Sequence, residues 1–342
     1  MKACVIDRHG GPEVLQIVDR PVPQPAADEV LIAVRACGLN HLDLWVRQGI
    51  PGVPYPLPIV PGSDTAGVVE AVGAGVRGIA VGEEVVTNPG FSLEPSPEKL
   101  TGYDPLCADF GILGAHRDGG CAEYVAVPAE NVLRKPESLS FVETAAVPIV
   151  FQTAWHMLVV RARLVAGETV LIQAAGSGVS HAAIQIARLI GARVIATSST
   201  DEKLTRAAEL GADATINYRT EDVAARVRKL TDGRGADVVL DHCGAATWKA
   251  DTAALAKGGR LVLCGATTGA EVTLNLGPLF YLGQSVLGST LGTREELQRV
   301  LTLMDQGKLE PIVDTTFALN DIRAAHEYMA DPDRFGKVVI TV

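Results

Sequence analysis

The chain has 342 residues, 47% hydrophobic and 20% charged, which is the balance of an ordinary globular protein with room for two cores. A formal net charge of -10 and the lack of any Lys/Arg run argue against nucleic-acid or anionic membrane partners. Apolar stretches such as 145–151 are far too short to span a bilayer, and residues 1–7 read as a strand rather than a secretory signal. Six cysteines (Cys4, Cys37, Cys107, Cys121, Cys243 and Cys264), none at CxxC spacing, suit free thiols in a reducing compartment, so a cytoplasmic protein is expected.

The first 150 residues are rich in Gly, Pro and short alternating segments. Residues 29–35, 65–72 and 84–87 read as half-buried strands separated by turn signals such as Pro51-Gly52 and Pro61-Gly62. From about residue 165 the rhythm changes. Strands are expected at 169–174, 193–197, 214–218, 237–241, 260–264 and 285–288. Helical patterns run between them, to 190, over 201–210 and 221–231, and near 248–256. Strands that alternate with helices predict a parallel sheet with right-handed crossovers. Gly191, Gly211 and Gly258 stand where helices end. Residues 294–342 add a long helix and a terminal strand over 337–342. The expected class is α/β, with domains over 1–149, 150–292 and a return segment 293–342.

The segment Ala175-Gly176-Ser177-Gly178-Val179-Ser180 lies between a strand and a helix. Small residues there let the backbone approach a pyrophosphate, and the helix start offers amide donors, so Gly176, Ser177, Gly178 and Val179 are assigned to a dinucleotide. Ser180 replaces the third glycine of the usual fingerprint, and a generic tight turn is the alternative. The second strand of the alternation ends in Thr197-Ser198-Ser199, with Lys203 following, where an NAD-binding chain usually has a carboxylate. Hydroxyls and an ammonium suit a 2′-phosphate, so Ser198, Ser199 and Lys203 favour NADPH, with NADH possible. In the alternative, Lys203 is a solvated helix residue and Asp201 is a cap or ribose ligand.

The chain resembles the medium-chain dehydrogenase/reductase superfamily over its entire length. The resemblance rests on Gly38-Leu-Asn-His-Leu-Asp43, Pro61-Gly-Ser-Asp-Thr-Ala-Gly-Val-Val69, Gly120-Cys-Ala-Glu-Tyr-Val-Ala-Val-Pro128, Gln152-Thr-Ala-Trp155 and the Gly176 turn. It implies a GroES-like β-rich catalytic domain plus a Rossmann doubly wound parallel sheet. In the zinc-dependent branch the catalytic metal is held by Cys, His, and Cys or an acid, where this chain has Asn40, Ser63 and Ile149. The proton-relay hydroxyl of that branch falls on Leu42. Its structural-zinc lobe aligns with cysteines at Leu93, Ser96, Lys99 and Cys107, of which only Cys107 survives. An amide, a hydroxyl and an alkyl group do not make a zinc site, so no metal is expected. Asp64, Cys37 and His41 are the remaining donors for a makeshift one. Pro95, Pro97 and Pro105 are candidates to stiffen the lobe.

The chain is most similar to the zinc-free quinone oxidoreductase branch, which also carries Asn and Ser at positions 40 and 63, although Trp45 stands where a Tyr is common there. By family position Asn40 donates a hydrogen bond to a substrate oxygen; the alternative is a helix cap. His41 is a candidate acid or pyrophosphate contact, Asp43 a structural acid, and Trp45 and Tyr55 candidate walls of the substrate cleft. Thr153 and the backbones of Cys264, Gly265 and Ala266 match groups that hold the nicotinamide amide. Tyr218, with Lys203, matches positions that hold a 2′-phosphate; a strand-end aromatic is the alternative. His156 and His181 read as packing residues.

The expected activity is NADPH-dependent, zinc-independent hydride transfer to a quinone or an activated C=C in a small molecule. An alcohol dehydrogenase and a catalytically silent cofactor-binding protein are the alternatives. The apolar edge strand 285–288 predicts a homo-oligomer, a dimer or tetramer; relatives are similar in pairing at this edge through a two-fold axis.

Overall fold

The computed structural model describes residues 1–100 and 104–342. The chain divides into two compact units, Met1–Gln152 with Thr293–Val342, and Thr153–Gly292.

The first unit begins with the hairpin β1 (Lys2–Ile6) and β2 (Leu15–Asp19), then β3 (Glu29–Gly38), α1 (His41–Gln48), β4 (Asp64–Val72) and β5 (Glu84–Thr87). Short elements follow: β6 (Gly90–Phe91), α2 (Pro97–Leu100), β7 (Gly111–Ile112), β8 (Tyr124–Pro128), β9 (Val132–Arg134) and α3 (Phe141–Ala145). The next helix, α4 (Pro148–Trp155), carries the chain into the second unit.

The second unit holds β10 (Thr169–Ile172), α5 (Gly178–Ile190), β11 (Arg193–Ser198), α6 (Asp201–Glu209), β12 (Ala214–Asn217), α7 (Val223–Leu230) and β13 (Ala236–Asp241). It continues with α8 (Trp248–Ala254), β14 (Leu255–Leu263), α9 (Leu276–Tyr281) and β15 (Ser285–Gly288). The tail returns to the first unit with α10 (Arg294–Asp305), β16 (Val313–Ala318), α11 (Ile322–Tyr328) and β17 (Lys337–Thr341).

In the second unit all six strands are parallel, in the order β12-β11-β10-β13-β14-β15. This is the doubly wound arrangement expected from the alternation. The order reverses between β10 and β13, which is where such sheets take ligands. Both strands at this point are buried almost throughout, as a sheet covered by helices on both faces requires. Gly191 ends α5 at φ +90, a conformation that L side chains rarely adopt. Strand β14 starts at Leu255, five residues before the expected segment, because Leu255 already pairs with Ala236 and a bulge containing Gly258 and Gly259 precedes the Arg260–Val238 pair, so Gly258 lies inside the strand rather than at the end of α8. Helix α9 has no counterpart in the expected elements: six residues are too few for a helical period to stand out.

The first unit is organised around a sheet in the order β16-β17-β3-β4-β5-β9, with β8 also paired to β3. Strand β3 is therefore central, and β17 runs antiparallel to its C-terminal half, with Val339 opposite Gly38. Apolar cores lie around Leu15, Leu39, Val46, Ile59 and Ile340, and around Val30, Ile32, Val69 and Val127. Strand pairing thus brings three distant segments together: the end of β3 with the start of α1, the start of β4, and the start of β17. Gly62, just before β4, has φ +100, and a Cβ there would meet the Cys37 and Cys121 sulfurs at 2.5 and 2.7 Å.

Candidate functional site

The nucleotide side is built at the C-terminal ends of β10, β11 and β13. After β10 the chain turns sharply: Ala174 has φ +49, its amide donates to Thr197 Oγ1 (3.1 Å), and the Ala175 amide donates to the Thr197 carbonyl (2.8 Å). Ser177 caps α5 in an extended conformation without using its side chain, which leaves the first-turn amides of a 13-residue helix without a side-chain cap. Ser180, at the third-glycine position, points its hydroxyl back to the Gln173 carbonyl (2.6 Å) and accepts from His242 Nε2 (2.9 Å). That bond accommodates a side chain where close helix–strand packing usually demands glycine. These features fit a pyrophosphate.

A cavity of about 570 Å³ opens beside the turn, lined by Gln173, Ala174, Tyr218, Cys243, Thr247 and Lys249 among others. Tyr218 is exposed into this region, and its amide donates to the Ser198 carbonyl (3.1 Å). Ser198 and Ser199 are buried at the end of β11. Lys203 is also buried, on the first turn of α6, so it is not the solvated residue of the alternative reading; it does not line the cavity. Asp201 Oδ1 accepts from Asn217 Nδ2 (2.8 Å). Thr153 is buried on α4, and Cys264, Gly265 and Ala266 directly follow β14. Burial pushes the Cys264 thiol up to about 12, so this residue offers backbone rather than thiolate chemistry. His156 and His181 are both buried.

Beneath the turn lies a polar chain that the sequence reading missed. Thr197 Oγ1 donates to Gln173 Oε1 (2.6 Å), and Gln173 Nε2 donates to Asp251 Oδ1 (2.6 Å). Asp241 accepts from the Gly244 amide (2.8 Å) and from Thr247 Oγ1 (2.9 Å). Burial, then the charge of Asp241, push the Asp251 carboxyl up to about 8, so it holds its proton at neutral pH.

The second constellation lies in the catalytic unit. Lys337, at the start of β17, is buried and donates to Leu39 O (2.7 Å), Asn40 Oδ1 (2.6 Å) and Asp64 Oδ2 (3.0 Å). Asn40 Nδ2 donates to Asp64 Oδ2 (2.9 Å) and, at a longer 3.4 Å, to Gly38 O. The Ile149 amide donates to Asp64 Oδ1 (3.0 Å). Asp43 accepts from the Asn40 amide (2.7 Å) and the Gly62 amide (2.8 Å), the structural role expected of it. Burial pushes the Asp43 carboxyl up to about 6, against the pull of those two amides and of the Lys337 charge. The Ser63 hydroxyl is buried and makes no hydrogen bond among the described residues.

Asn40 is thus both a helix cap and the hub of an ion-pair network, and its amide is already engaged. Its orientation follows from chemistry: an ammonium can face only Oδ1, and a carboxylate only Nδ2. His41 and Trp45 stand together on α1, rings 6.2 Å apart and edge-on. Tyr55 lies 6.1 Å from both His9 and His116, so it groups with those rings.

In the lobe around residues 91–109, Ser96 Oγ contacts Cys107 Sγ at 3.2 Å, and Lys99 reaches Ser92 O and Glu130 Oε1. Asp109 accepts from Ser92 Oγ (2.5 Å) and from the Leu93 (2.7 Å) and Glu94 (2.8 Å) amides. Hydrogen bonds and an ion pair fasten the lobe. Residues 101–103 of this lobe lie outside the described residues.

Comparison with known proteins matches two family models, "Alcohol dehydrogenase GroES-like domain" over residues 26–137 and "Zinc-binding dehydrogenase" over 178–306. The human quinone oxidoreductase is 31% identical over 336 residues, covering 96% of this chain and 93% of that protein. The chain belongs to the medium-chain dehydrogenase/reductase superfamily. It is an NAD(P)-dependent oxidoreductase with a Rossmann unit and a GroES-like unit. A crystal structure of an NAD-dependent alcohol dehydrogenase superposes with TM-score 0.97 at 48% identity, covering 100% of both chains. A cobalt- and zinc-bound thermostable alcohol dehydrogenase from Pyrobaculum aerophilum superposes with TM-score 0.91 at 36% identity, covering 100% of this chain and 99% of that one.

The zinc that such relatives imply would need three protein donors with one open position. Among the described residues no three His, Cys, Asp or Glu side chains come together to hold an ion. Of the makeshift donors, Asp64 is already paired with the Lys337 ammonium, whose charge would repel a divalent cation. Cys37, another donor of the makeshift site, is hydrogen-bonded to the Cys121 thiol at 3.9 Å. The residues do not fit catalytic zinc.

Asp251 generates a stability prediction. Its folded pKa is raised, so its contribution is fully present below the unfolded carboxylate range near 4 and is lost as pH rises to about 8. Urea unfolding at pH 5.5 and 7.5 should show the parent losing about 1.4 kcal/mol per pH unit more than Asp251→Asn. Equal pH dependence in the two proteins would contradict the assignment.

Proposed function

We propose that this oxidoreductase reduces quinones or electron-poor C=C bonds with NADPH and without zinc. The observation that carries the reading is the closed Lys337–Asn40–Asp64 network, built around Asn40, a position that the family resemblance assigns to a zinc ligand. Oxidising an unactivated alcohol calls for a Lewis acid to lower the hydroxyl pKa and hold the alkoxide. Reducing an enone asks less. Hydride adds to the β-carbon, the π pair moves to the carbonyl oxygen, and a proton from solvent on the α-carbon completes the two-electron reduction. The protein then has only to offer hydrogen bonds to that oxygen, and Asn40 Nδ2 and the unpartnered Ser63 hydroxyl are candidates.

The nucleotide unit would bind the cofactor through the turn at Gly176–Val179, with NADPH favoured over NADH by the hydroxyls of Ser198 and Ser199 and by Lys203 and Tyr218. A bound nicotinamide would supply the hydride. A second reading, an NAD-dependent alcohol dehydrogenase, is favoured by the 48% identity to a structure of that name.

One assay separates the two. In a metal chelator, the protein is mixed with NADPH or NADH and a quinone, an enone, an enoyl thioester or an aldehyde, and in the reverse sense with alcohols and the oxidised cofactors. The proposal expects quinone or enone turnover that survives the chelator and runs faster with NADPH. Turnover confined to alcohols and aldehydes, lost in chelator and restored by zinc, would establish the second reading.

We further infer that two copies of the chain pair along β15. This strand is the last of its sheet, and Val286 and Leu287 place no charge on its open edge. Nearby, Leu276, Phe280 and Tyr281 of α9 are largely exposed, the two aromatic residues at 78% each. Pairing about a two-fold axis would make the edge self-complementary and leave it closed. Light scattering at micromolar concentration should give at least a dimer, and Leu287→Lys should shift it toward monomer. A monomeric parent protein would end this proposal.

A further inference from the structure

We propose that Lys337 is a positioning residue for the reduction: its ammonium fixes Asn40 and polarises that amide, so that Asn40 presents a strengthened N–H donor to the oxygen that gains charge. The inference rests on the reductase reading above and names the source of the positive charge that the reaction lacks without a metal.

The geometry is specific. Lys337 Nζ makes its 2.6 Å contact to Asn40 Oδ1, the carbonyl end of the amide. A cation on that oxygen draws electron density from the nitrogen, and hydrogen bonds linked in series strengthen one another in a low-dielectric interior. One Nδ2 hydrogen is held by Asp64 at 2.9 Å. The other reaches Gly38 O only at 3.4 Å, so it is the loosely held one and the one that an incoming oxygen can share without any rotation of the planar amide. Asp64 restrains the ammonium from the far side and is itself fixed by the Ile149 amide at 3.0 Å. The amide therefore cannot flip without setting an ammonium against an NH2 group and a carboxylate against a carbonyl.

The chemistry balances. Two electrons and one hydrogen arrive as hydride on the β-carbon, the π electrons move onto the carbonyl oxygen, and a solvent proton adds at the α-carbon. Lys337 gives up no proton and forms no covalent bond. It acts only through Asn40, on the enolate-like state, so its effect should fall on kcat more than on KM.

The test uses the full-length protein with NADPH and an enone, in four forms: parent, Asn40→Ala, Lys337→Met, and the double variant Lys337→Met/Asp64→Asn. Thermal stability and the kcat and KM of each are measured. Lys337→Met alone strands a buried carboxylate and is expected to be unstable; the double variant removes both charges and should recover stability. The proposal expects Asn40→Ala and the double variant each to lose about 100-fold in kcat with KM changed by less than about 10-fold, the scale of losing one oxyanion donor. If Asn40→Ala is slow while the double variant recovers parental kcat with its stability, Lys337 is merely structural and the proposal is overturned. If Asn40→Ala keeps parental kcat while the parent reduces enones, Asn40 is not the donor and the proposal fails with the reductase reading intact. If the parent reduces no enone or quinone, the reductase reading itself has failed.

Discussion

The catalytic unit depends on one buried ion pair. Lys337 and Asp64 sit 3.0 Å apart, 3% and 0% exposed at their side chains. Taking two charges out of water costs several kcal/mol per ion, and the cost is offset only when the geometry is good and the remaining hydrogen-bonding capacity is filled. Here it is: the three ammonium hydrogens have three acceptors, and Asp64 takes two further N–H donors. These partners come from the link between β3 and α1 (Leu39 and Asn40), the start of β4, the start of α4 and the start of β17. The ion pair thus fastens four segments of chain. The ammonium also decides what the corner can bind, since a metal ion would have to displace it or sit beside its charge.

The nucleotide unit is assembled on a different logic. Its turn after β10 is held by side chains that stand behind the backbone. Thr197, Gln173 and Asp251 form a hydrogen-bonded chain from the end of β11 through the end of β10 to α8. Thr197 also receives the amides of Ala174 and Ala175, which fixes the turn whose first residue has a positive φ. The strain at Ala174 is therefore met by two hydrogen bonds to one residue.

Much of this architecture was readable from residues. Strands 84–87 and 285–288 fall where their alternation and flanking turns place them, and the parallel sheet follows from strands alternating with helices. The identities of Asn40, Ser63 and Ile149 already argued against zinc. What the chain could not show was the partner of that substitution. Lys337 lies 273 residues from Asp64, and in the sequence it is one charge opening an apolar strand. Only the antiparallel pairing of β17 with β3 brings it under Asn40. Gln173 and Asp251 were hidden for the same reason: a glutamine at a strand end and an aspartate in a short helix carry no periodic signal, and their 2.6 Å contact is a product of the fold. Lys203 looked like a solvated helix residue or a phosphate ligand, and its burial on the inner face of α6 was not evident from a helix whose first turn is otherwise acidic.

We propose that an internal ammonium, rather than a metal, organises the corner around Asn40 and Asp64. The most direct measurement is a crystal structure of the protein grown with added zinc, with anomalous data collected at the zinc edge. The account predicts no anomalous peak at the corner and Lys337 Nζ in hydrogen-bond contact with Asn40 Oδ1 and Asp64. A peak bound by Asp64, with Lys337 swung away, would contradict it.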